Sequence, residues 1–154
     1  MALPYRRILF ATDLSELSLQ AWPHALALAE KHGAELHAVA VLEEPFALAP
    51  YEQYGVLLQA LRDVKPQLEK QLAERTKDRP ASLKFKSTVL EAASPTNALL
   101  DYVKQEKIDA IVMATHGRSG LTHLLLGSVA EKLLRTSPVP VLVIRPQQTQ
   151  AGKS

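Results

Sequence analysis

The amino-acid sequence predicts a single α/β domain built on an open, five-stranded parallel sheet with helices on both faces. The chain has 154 residues, the size of one compact domain, and 47% of them are hydrophobic. Its apolar residues gather in strand-length runs separated by helix-length segments, an alternation typical of β-α-β units. The five predicted strands are Ile8–Ala11, Leu36–Leu42, Leu83–Leu90, Ile108–Met113 and Val139–Ile144.

The residue patterns within these runs predict the strand order 3-2-1-4-5. The first, second and fourth runs are almost wholly apolar, as expected for strands covered on both faces. In the third run Lys84 and Lys86 alternate with apolar neighbours, and lysines often protect a sheet edge. The fifth run contains Pro140, which lacks a backbone donor and is tolerated mainly at edges and strand starts. We therefore place the third and fifth strands at the two edges.

Capping signals indicate where the helices begin and end. Gly33 follows two basic residues and predicts the end of the first helix, while Pro23 predicts a kink in that helix or a delay of its start. Ser94, which precedes a proline, predicts the N-cap of the third helix. Ser128 stands three residues before Glu131, and this spacing predicts a capping box that opens the fourth helix.

The least regular interior segment is Glu43–Gly55, which contains two prolines and two tyrosines. We interpret it as a loop between the second strand and the second helix, with a lid as one interpretation of its role. An apolar stripe at helical spacing then predicts the second helix, interrupted at Pro66. The stripe consists of Leu57, Leu61, Val64, Leu68 and Leu72.

The composition excludes several classes of site. The chain contains no cysteine, which excludes disulfides, thiolate catalysis and cysteine-based metal sites. Its 18 Lys and Arg against 16 Asp and Glu leave a net charge of +2, and no basic run exceeds Arg6-Arg7. This pattern indicates no nucleic-acid interface. The histidines do not cluster with carboxylates at ligand spacing and no Walker A pattern is present, so we predict neither a metal site nor a P-loop.

The sequence also bears on location and domain limits. It shows neither a signal-peptide apolar region nor an apolar run of membrane-spanning length, so we expect a soluble, cytoplasmic protein without membrane insertion. We expect residues 1–146 to form one domain and the polar residues 147–154 to form a flexible tail.

The strongest functional signal is the segment Met113–Gly117, which follows a strand-like run and is separated by nine residues from Gly127 and Ser128. A strand that leads through a glycine-containing loop to a helix N-terminus suits phosphate, because backbone N–H groups approach the anion and the helix dipole favours negative charge. Ligands of open parallel sheets bind where the strand order reverses, here between the first and fourth strands. Asp13 emerges at the same place, although by itself it would be interpreted as a helix cap.

These segments, together with the terminal Val139–Ile144 run, resemble the universal stress protein family over nearly the whole chain. Nucleotide-binding members carry Gly-x-x-Gly, nine residues, and Gly-Ser/Thr, and this chain departs from that pattern only at Ala114. Alanine is the smallest replacement for glycine, although it adopts positive φ less readily. The resemblance implies a Rossmann-like fold of the adenine nucleotide alpha hydrolase type and membership of the ATP-binding subgroup.

The resemblance also implies a role for each matching residue. Asp13 would bind the ribose hydroxyls, the backbone near Val41 would meet the adenine edge, and the glycine-containing loop would hold the phosphates. Ser128 has an alternative role as a helix cap, and His116 and Arg118 have alternatives as solvated loop residues. The implied nucleotide-binding residues are Ala11, Thr12, Asp13, Val41, Met113, Ala114, His116, Gly117, Arg118, Gly127, Ser128 and Val129.

The sequence thus predicts a regulatory or stress-response protein that binds ATP, ADP or AMP, with or without Mg²⁺. Two alternatives stay open: a slow ATPase or self-phosphorylating enzyme, and a nucleotide-free interaction module. No catalytic residue is assigned, and His116 is the single candidate for a base. We also expect a homodimer through Val139–Ile144, because this apolar edge carries no charge before Arg145 and related family members dimerise in this way. The protein partner that it regulates is not predicted.

Overall fold

The computed structural model describes residues 5–44, 49–115 and 127–147. Five strands form one sheet in the order β3-β2-β1-β4-β5, and every adjacent pair is parallel. The strands are β1 (Arg7–Ala11), β2 (Glu35–Glu43), β3 (Phe85–Ala92), β4 (Ala110–Ala114) and β5 (Val141–Ile144). The predicted fold class and the predicted strand order are both confirmed.

In the described part of the chain, five α-helices connect these strands. They are α1 (Glu16–Leu19), α2 (Trp22–His32), α3 (Tyr54–Arg75), α4 (Pro95–Gln105) and α5 (Ser128–Thr136), with a short 3-10 helix at Tyr51–Gln53. Helices α2 and α3 pack on one face of the sheet, and α4 and α5 pack on the other. None of these helices is both long enough and apolar enough to cross a bilayer.

The central strand β1 divides the hydrophobic core into two layers. Ile8 and Phe10 face α2 and α3, whereas Leu9 and Ala11 face α4 and α5, and all four side chains are buried. Trp22 at the start of α2 packs against Phe10, with ring centroids 5.4 Å apart. Each large apolar side chain buried in this way contributes about 1.5–3 kcal/mol to stability. The core therefore fixes β1 and holds its carboxyl end in place.

Three of the predicted helix boundaries are confirmed. Gly33 ends α2 in the left-handed conformation, with φ of 62°. Helix α2 begins only at Trp22, after the separate short helix α1, so Pro23 lies in its first turn and delays its start. Ser94 caps α4, and its hydroxyl accepts a hydrogen bond from the Asn97 amide at 3.3 Å.

The predicted capping box at Ser128 is wrong. Gly127 is the N-cap of α5, Ser128 is the first helical residue, and no side chain caps the helix. The Glu131 carboxylate accepts a hydrogen bond from Arg135 at 2.8 Å instead of reaching back to the helix start. An ion pair at i, i+4 with the acid first is favourable in a helix, and it competes with the reciprocal cap.

The predicted interruption at Pro66 is also wrong, because α3 continues through it. Proline removes one backbone hydrogen bond, but tertiary packing of an apolar face stabilises the helix beyond it. Leu68 packs against the core and Leu72 is buried in it, while Lys65 forms a half-exposed ion pair with Glu91 of β3 at 3.6 Å. The predicted Glu43–Gly55 loop is shorter than expected because the chain is helical from Tyr51 onward, and residues 45–48 lie outside the described residues.

A buried histidine links β2 to α4. The His37 side chain is 1% exposed and lies between Glu35 and Tyr102. Its Nε2–H donates to the Glu35 carboxylate at 2.9 Å, so Nδ1 accepts from the Tyr102 hydroxyl at 2.8 Å. Burial raises the pKa of Tyr102 to about 12, and the charges of Glu106 and Glu35 act in the same direction. The Tyr102 hydroxyl therefore stays protonated and remains the donor of its hydrogen bond to His37.

Protonation of His37 is expected to destabilise the fold in mild acid. Burial lowers the pKa of His37 below its ordinary 6.5, outweighing the opposite effect of Glu35. The unfolded chain then takes up a proton near pH 6.5 while the folded chain does not. The free energy of unfolding therefore decreases as the pH falls below about 6.5 and levels off below the folded pKa. Urea unfolding at about pH 8 and about pH 5 measures this loss.

His37→Gln is the matched control, because glutamine is polar but does not titrate in this range. Lys86 of β3 and Glu106, the C-cap residue of α4, also act on His37 and remain in place in this variant. The parent should lose more stability than the variant between the two pH values. Equal losses would show that the carboxylates alone account for the acid sensitivity.

Candidate functional site

The carboxyl ends of β1, β2 and β4 lie side by side in the sheet. Phe10 of β1 aligns with Val112 of β4, and Ala11 aligns with Val39 of β2. Val41 lies two residues farther along β2. Thr12 and Asp13 therefore leave β1 next to the end of β4. The connection after β1 runs to the α2 face and the connection after β4 runs to the α5 face, so this is the point at which the strand order reverses.

The loop after β1 is held by a network of small polar side chains. The buried Thr12 hydroxyl lies 2.7 Å from the Ser18 hydroxyl and accepts a hydrogen bond from the Leu14 amide at 3.0 Å. The Asp13 carboxylate accepts from the Ser15 amide at 2.9 Å, and the Asp13 amide donates to the Ser18 hydroxyl. Asp13 thus stabilises the turn that leads into α1, but it is not the helix cap weighed for it from the sequence, because Ser15 is the N-cap of α1 and its hydroxyl accepts from the Ser18 amide at 3.2 Å.

Leu14 has a φ of 66°, an uncommon conformation for a residue with a branched side chain. Thr12 and Asp13 hold this conformation through hydrogen bonds on either side of it. Such backbone strain costs on the order of 1–3 kcal/mol and persists only where the surroundings enforce it. The conformation fixes where Asp13 leaves the sheet.

Ala114, where the chain departs from the family pattern, has a backbone conformation that does not require glycine. Ala114 is the last residue of β4, and the non-glycine residues with positive φ in the described ranges are Leu14 and Lys107. Ala114 therefore has ordinary strand backbone, which alanine adopts as readily as any residue. Met113 and Ala114 are both buried, so the end of β4 is packed in the core.

The N-terminus of α5 lies directly against the end of β4. The Gly127 amide donates to the Thr115 carbonyl, and the Thr115 amide donates to Ile144 of β5 at 2.9 Å. Thr115 and Gly127 are therefore adjacent. Gly127 has a φ of −56° and a ψ of 150°, which do not require glycine, so its small size is what distinguishes it.

Three consecutive amides open α5 without an acceptor from the helix itself. The first intrahelical bond runs from the Glu131 amide to the Gly127 carbonyl at 2.9 Å. The amides of Ser128, Val129 and Ala130 precede it and belong to the unpaired donors of a helix N-terminus. Together with the helix dipole, they favour an anion at this position. The Gly127 amide, in contrast, is already bonded to Thr115.

The remaining predicted site residues fall into two groups. Val41 is half-buried near the end of β2 and packs against the α4 layer of the core. His116, Gly117 and Arg118 lie outside the described residues. Within the described ranges, no three His, Asp or Glu side chains are arranged to hold a metal ion.

Sequence reasoning missed two contributors to this region. Ser18 bonds both Thr12 and the Asp13 amide, and the i, i+3 spacing of Thr12, Ser15 and Ser18 is a signal that would have indicated it. Thr115 joins β4, β5 and α5 through its backbone, and no side-chain pattern indicates such a role.

The model of the Universal stress protein family matches residues 4–145. A universal stress protein of Methanocaldococcus jannaschii is 32% identical over 92% of this chain and 82% of its own length. The structure of universal stress protein UspA from Lactobacillus plantarum has a TM-score of 0.73 at 25% identity and covers 94% of this chain and all of that one.

A universal stress protein solved in complex with cAMP shares the fold. It has a TM-score of 0.64 at 21% identity, covering 93% of this chain and 98% of that one. This chain therefore shares its fold with these proteins, and the loop after β1 and the junction of β4 with α5 are parts of that fold. From the family match over nearly its full length, we conclude that the chain belongs to the universal stress protein family.

Proposed function

We propose that the chain binds an adenine nucleotide at the carboxyl ends of β1 and β4 and acts as a nucleotide-dependent regulatory protein in stress responses. The observation that carries this proposal is the junction of β4 and α5, where three helix-opening amides lie beside the sheet position at which Asp13 emerges. Amides of this kind suit phosphate oxygens, and a carboxylate suits two sugar hydroxyls.

The different chemistry of the two groups favours a nucleotide over a free phosphate. Asp13 follows β1, whereas the amides of Ser128 and Val129 open a helix that follows β4. A ligand with sugar hydroxyls at one end and phosphate at the other would satisfy both groups. Val41 lies on the far side of β1 from β4, where the base would lie beyond the ribose.

Related structures support the choice of adenine. The universal stress protein solved with cAMP holds an adenine nucleotide on this fold. A universal stress protein from Archaeoglobus fulgidus was solved in complex with dAMP, with a TM-score of 0.58 at 17% identity. For this chain we propose ATP, ADP or AMP as the ligand, with or without Mg²⁺.

Mass spectrometry of the nucleotide retained by the purified protein tests the proposal. Retained ATP or AMP, confirmed by calorimetric titration of the stripped protein, would support a nucleotide switch. Slow conversion of added ATP to ADP would point to the enzymatic alternative. A protein that neither retains nor titrates an adenine nucleotide would contradict the proposal and favour an interaction module.

Asp13→Ala is expected to weaken nucleotide binding by about ten- to a hundredfold, because a hydrogen bond to a charged acceptor is worth about 1.5–3 kcal/mol. Calorimetric titration with ATP measures this loss. Asp13→Asn is the matched control: its side-chain oxygen can still accept from the Ser15 amide, so the turn before α1 is kept. Weakening in both variants would assign the effect to the carboxylate, whereas parent-like binding by both would exclude Asp13 from the site.

We further propose that two copies form a homodimer through the outer edge of β5. This strand pairs only with β4 in the described chain, and Leu142 is 44% exposed on it. Leu134 of the neighbouring α5 is equally exposed. An apolar edge strand of this kind is a template for pairing with a second chain.

A further inference from the structure

The other edge of the sheet carries unpaired backbone groups over a long strand. Strand β3 spans Phe85–Ala92 and pairs only with β2 among the described residues. The carbonyls of Lys84 and Ala92 accept hydrogen bonds from the β2 side. Because backbone direction alternates along a strand, the odd-numbered residues of β3 point their N–H and C=O groups away from the sheet. Ser87, Val89 and Glu91 therefore present donors and acceptors along this edge.

Beside this edge lies an open groove of about 430 Å³ between β3 and α4. Leu90 of β3 and two α4 residues, Ala98 and Tyr102, are among its partly or fully buried members. Three exposed polar residues of α4 form its outer side: Asn97, Asp101 and Gln105. An exposed strand edge with a helix alongside is the geometry in which proteins bind an extended peptide as an added strand.

The charge of the groove defines what it would accept. Its lining contains no cationic side chain, and its carboxylate on the α4 side is that of Asp101, because the Glu91 side chain lies with Val89 on the α3 face of the sheet. Glu91 is paired with Lys65, but no described residue forms an ion pair with Asp101. The lysines that protect the edge, Lys84 and Lys86, lie at its amino end and outside the groove. The carboxyl half of the edge is thus open to a partner of positive charge.

We propose that this groove binds an extended, basic segment of a partner protein. The segment would add a strand to β3 by bonding the outward groups of Ser87, Val89 and Glu91. It would place a small apolar side chain over Leu90 and Ala98 and a Lys or Arg against Asp101. The groove lies at the edge opposite β5, and the proposal stands independently of nucleotide binding.

A pool of synthetic heptapeptides tests the proposal on the full chain. Lys or Arg occupies positions two and six, Val occupies position four, and the other positions are mixed; a matched pool carries Glu in place of the basic residues. Binding is followed by NMR titration and by hydrogen exchange. The basic pool should bind more tightly than the acidic pool and should slow exchange of the Ser87, Val89 and Glu91 amides, which side-chain docking on α4 alone would not do.

Two variants identify the contacts. Ser87→Pro removes one outward donor without touching the ladder to β2, and Ser87→Ala is its matched control. Ser87→Pro should weaken binding of the basic pool about fivefold or more, while Ser87→Ala binds like the parent. Asp101→Lys, on the exposed face of α4, should reverse the preference between the two pools.

Three results would overturn the proposal. The first is the absence of binding by the basic pool at millimolar concentration. The second is unchanged amide exchange along β3 when the pool is bound. The third is equal affinity of the basic pool for the parent, a correctly folded Ser87→Pro variant and the Asp101→Lys variant.

Discussion

Gly127→Val is expected to abolish nucleotide binding while leaving the fold intact. Gly127 directly precedes the amides of Ser128, Val129 and Ala130, so a branched side chain there would occupy space that the phosphates need. Its φ of −56° and ψ of 150° are accessible to valine, so no backbone strain is added. The cost to the fold is that of a poor helix cap, about 0.5–1 kcal/mol. Calorimetric titration with ATP measures binding, and circular dichroism verifies the fold.

Two substitutions serve as controls for this result. Ser128→Ala keeps the backbone amide and removes only an exposed hydroxyl, so it should weaken binding modestly. Ala114→Gly restores the family pattern and should bind as tightly as the parent or more so, because Ala114 already has ordinary strand backbone. If Gly127→Val binds ATP like the parent, the phosphates do not lie at the start of α5 and the proposed site is wrong.

Leu142→Lys is expected to convert a dimer into a monomer. Pairing at the β5 edge would bring the two copies of this side chain close to the two-fold axis, and burying two like charges there costs more than a small interface contributes. Leu142 is 44% exposed in the single chain, so the fold should tolerate the change. Light scattering at several protein concentrations gives the oligomeric state.

Leu58→Lys is the matched control, because Leu58 is 48% exposed and lies on α3, which packs on the β3 side of the sheet. This variant should remain dimeric. If Leu142→Lys is also dimeric in the same experiment, the interface lies elsewhere on the molecule.

The strand order was predictable because each strand carries its own evidence of burial. The continuous apolar runs of β1, β2 and β4 indicate coverage on both faces, while Lys86 and Pro140 mark the two edges. Strand limits were less predictable: β3, β4 and β5 each begin two residues later than expected. At the fifth strand, Pro140 itself marks the boundary and only its carbonyl joins the ladder, accepting from Ile111.

The errors arose where a distant contact outweighs a local signal. Pro66 should interrupt a helix, but Leu68 and Leu72 beyond it pack against core residues of other elements. The hydrogen bond between His37 and Tyr102 joins residues 65 positions apart, so no local pattern indicates it.

The candidate site was predictable in outline, since the adjacency of the Asp13 loop and the start of α5 follows from strand order alone. The hydrogen bonds that the individual groups of the site make were not predictable. Only the three-dimensional structure shows that the Gly127 amide is already bonded and that Asp13 stabilises its own turn. The roles implied for His116, Gly117 and Arg118 stay predictions, because these residues lie outside the described ranges.

The strand order has a consequence for how the protein would engage a partner. With β3 and β5 at opposite edges, a dimer joined at β5 carries its two β3 grooves at the far ends of a ten-stranded sheet. Nine strand spacings of about 4.8 Å separate them by roughly 43 Å, a distance that about 13 extended residues can span. A partner with two basic segments on a linker of at least that length could occupy both grooves at once. Its avidity would then exceed the affinity of either segment and would be lost in the monomeric Leu142→Lys variant.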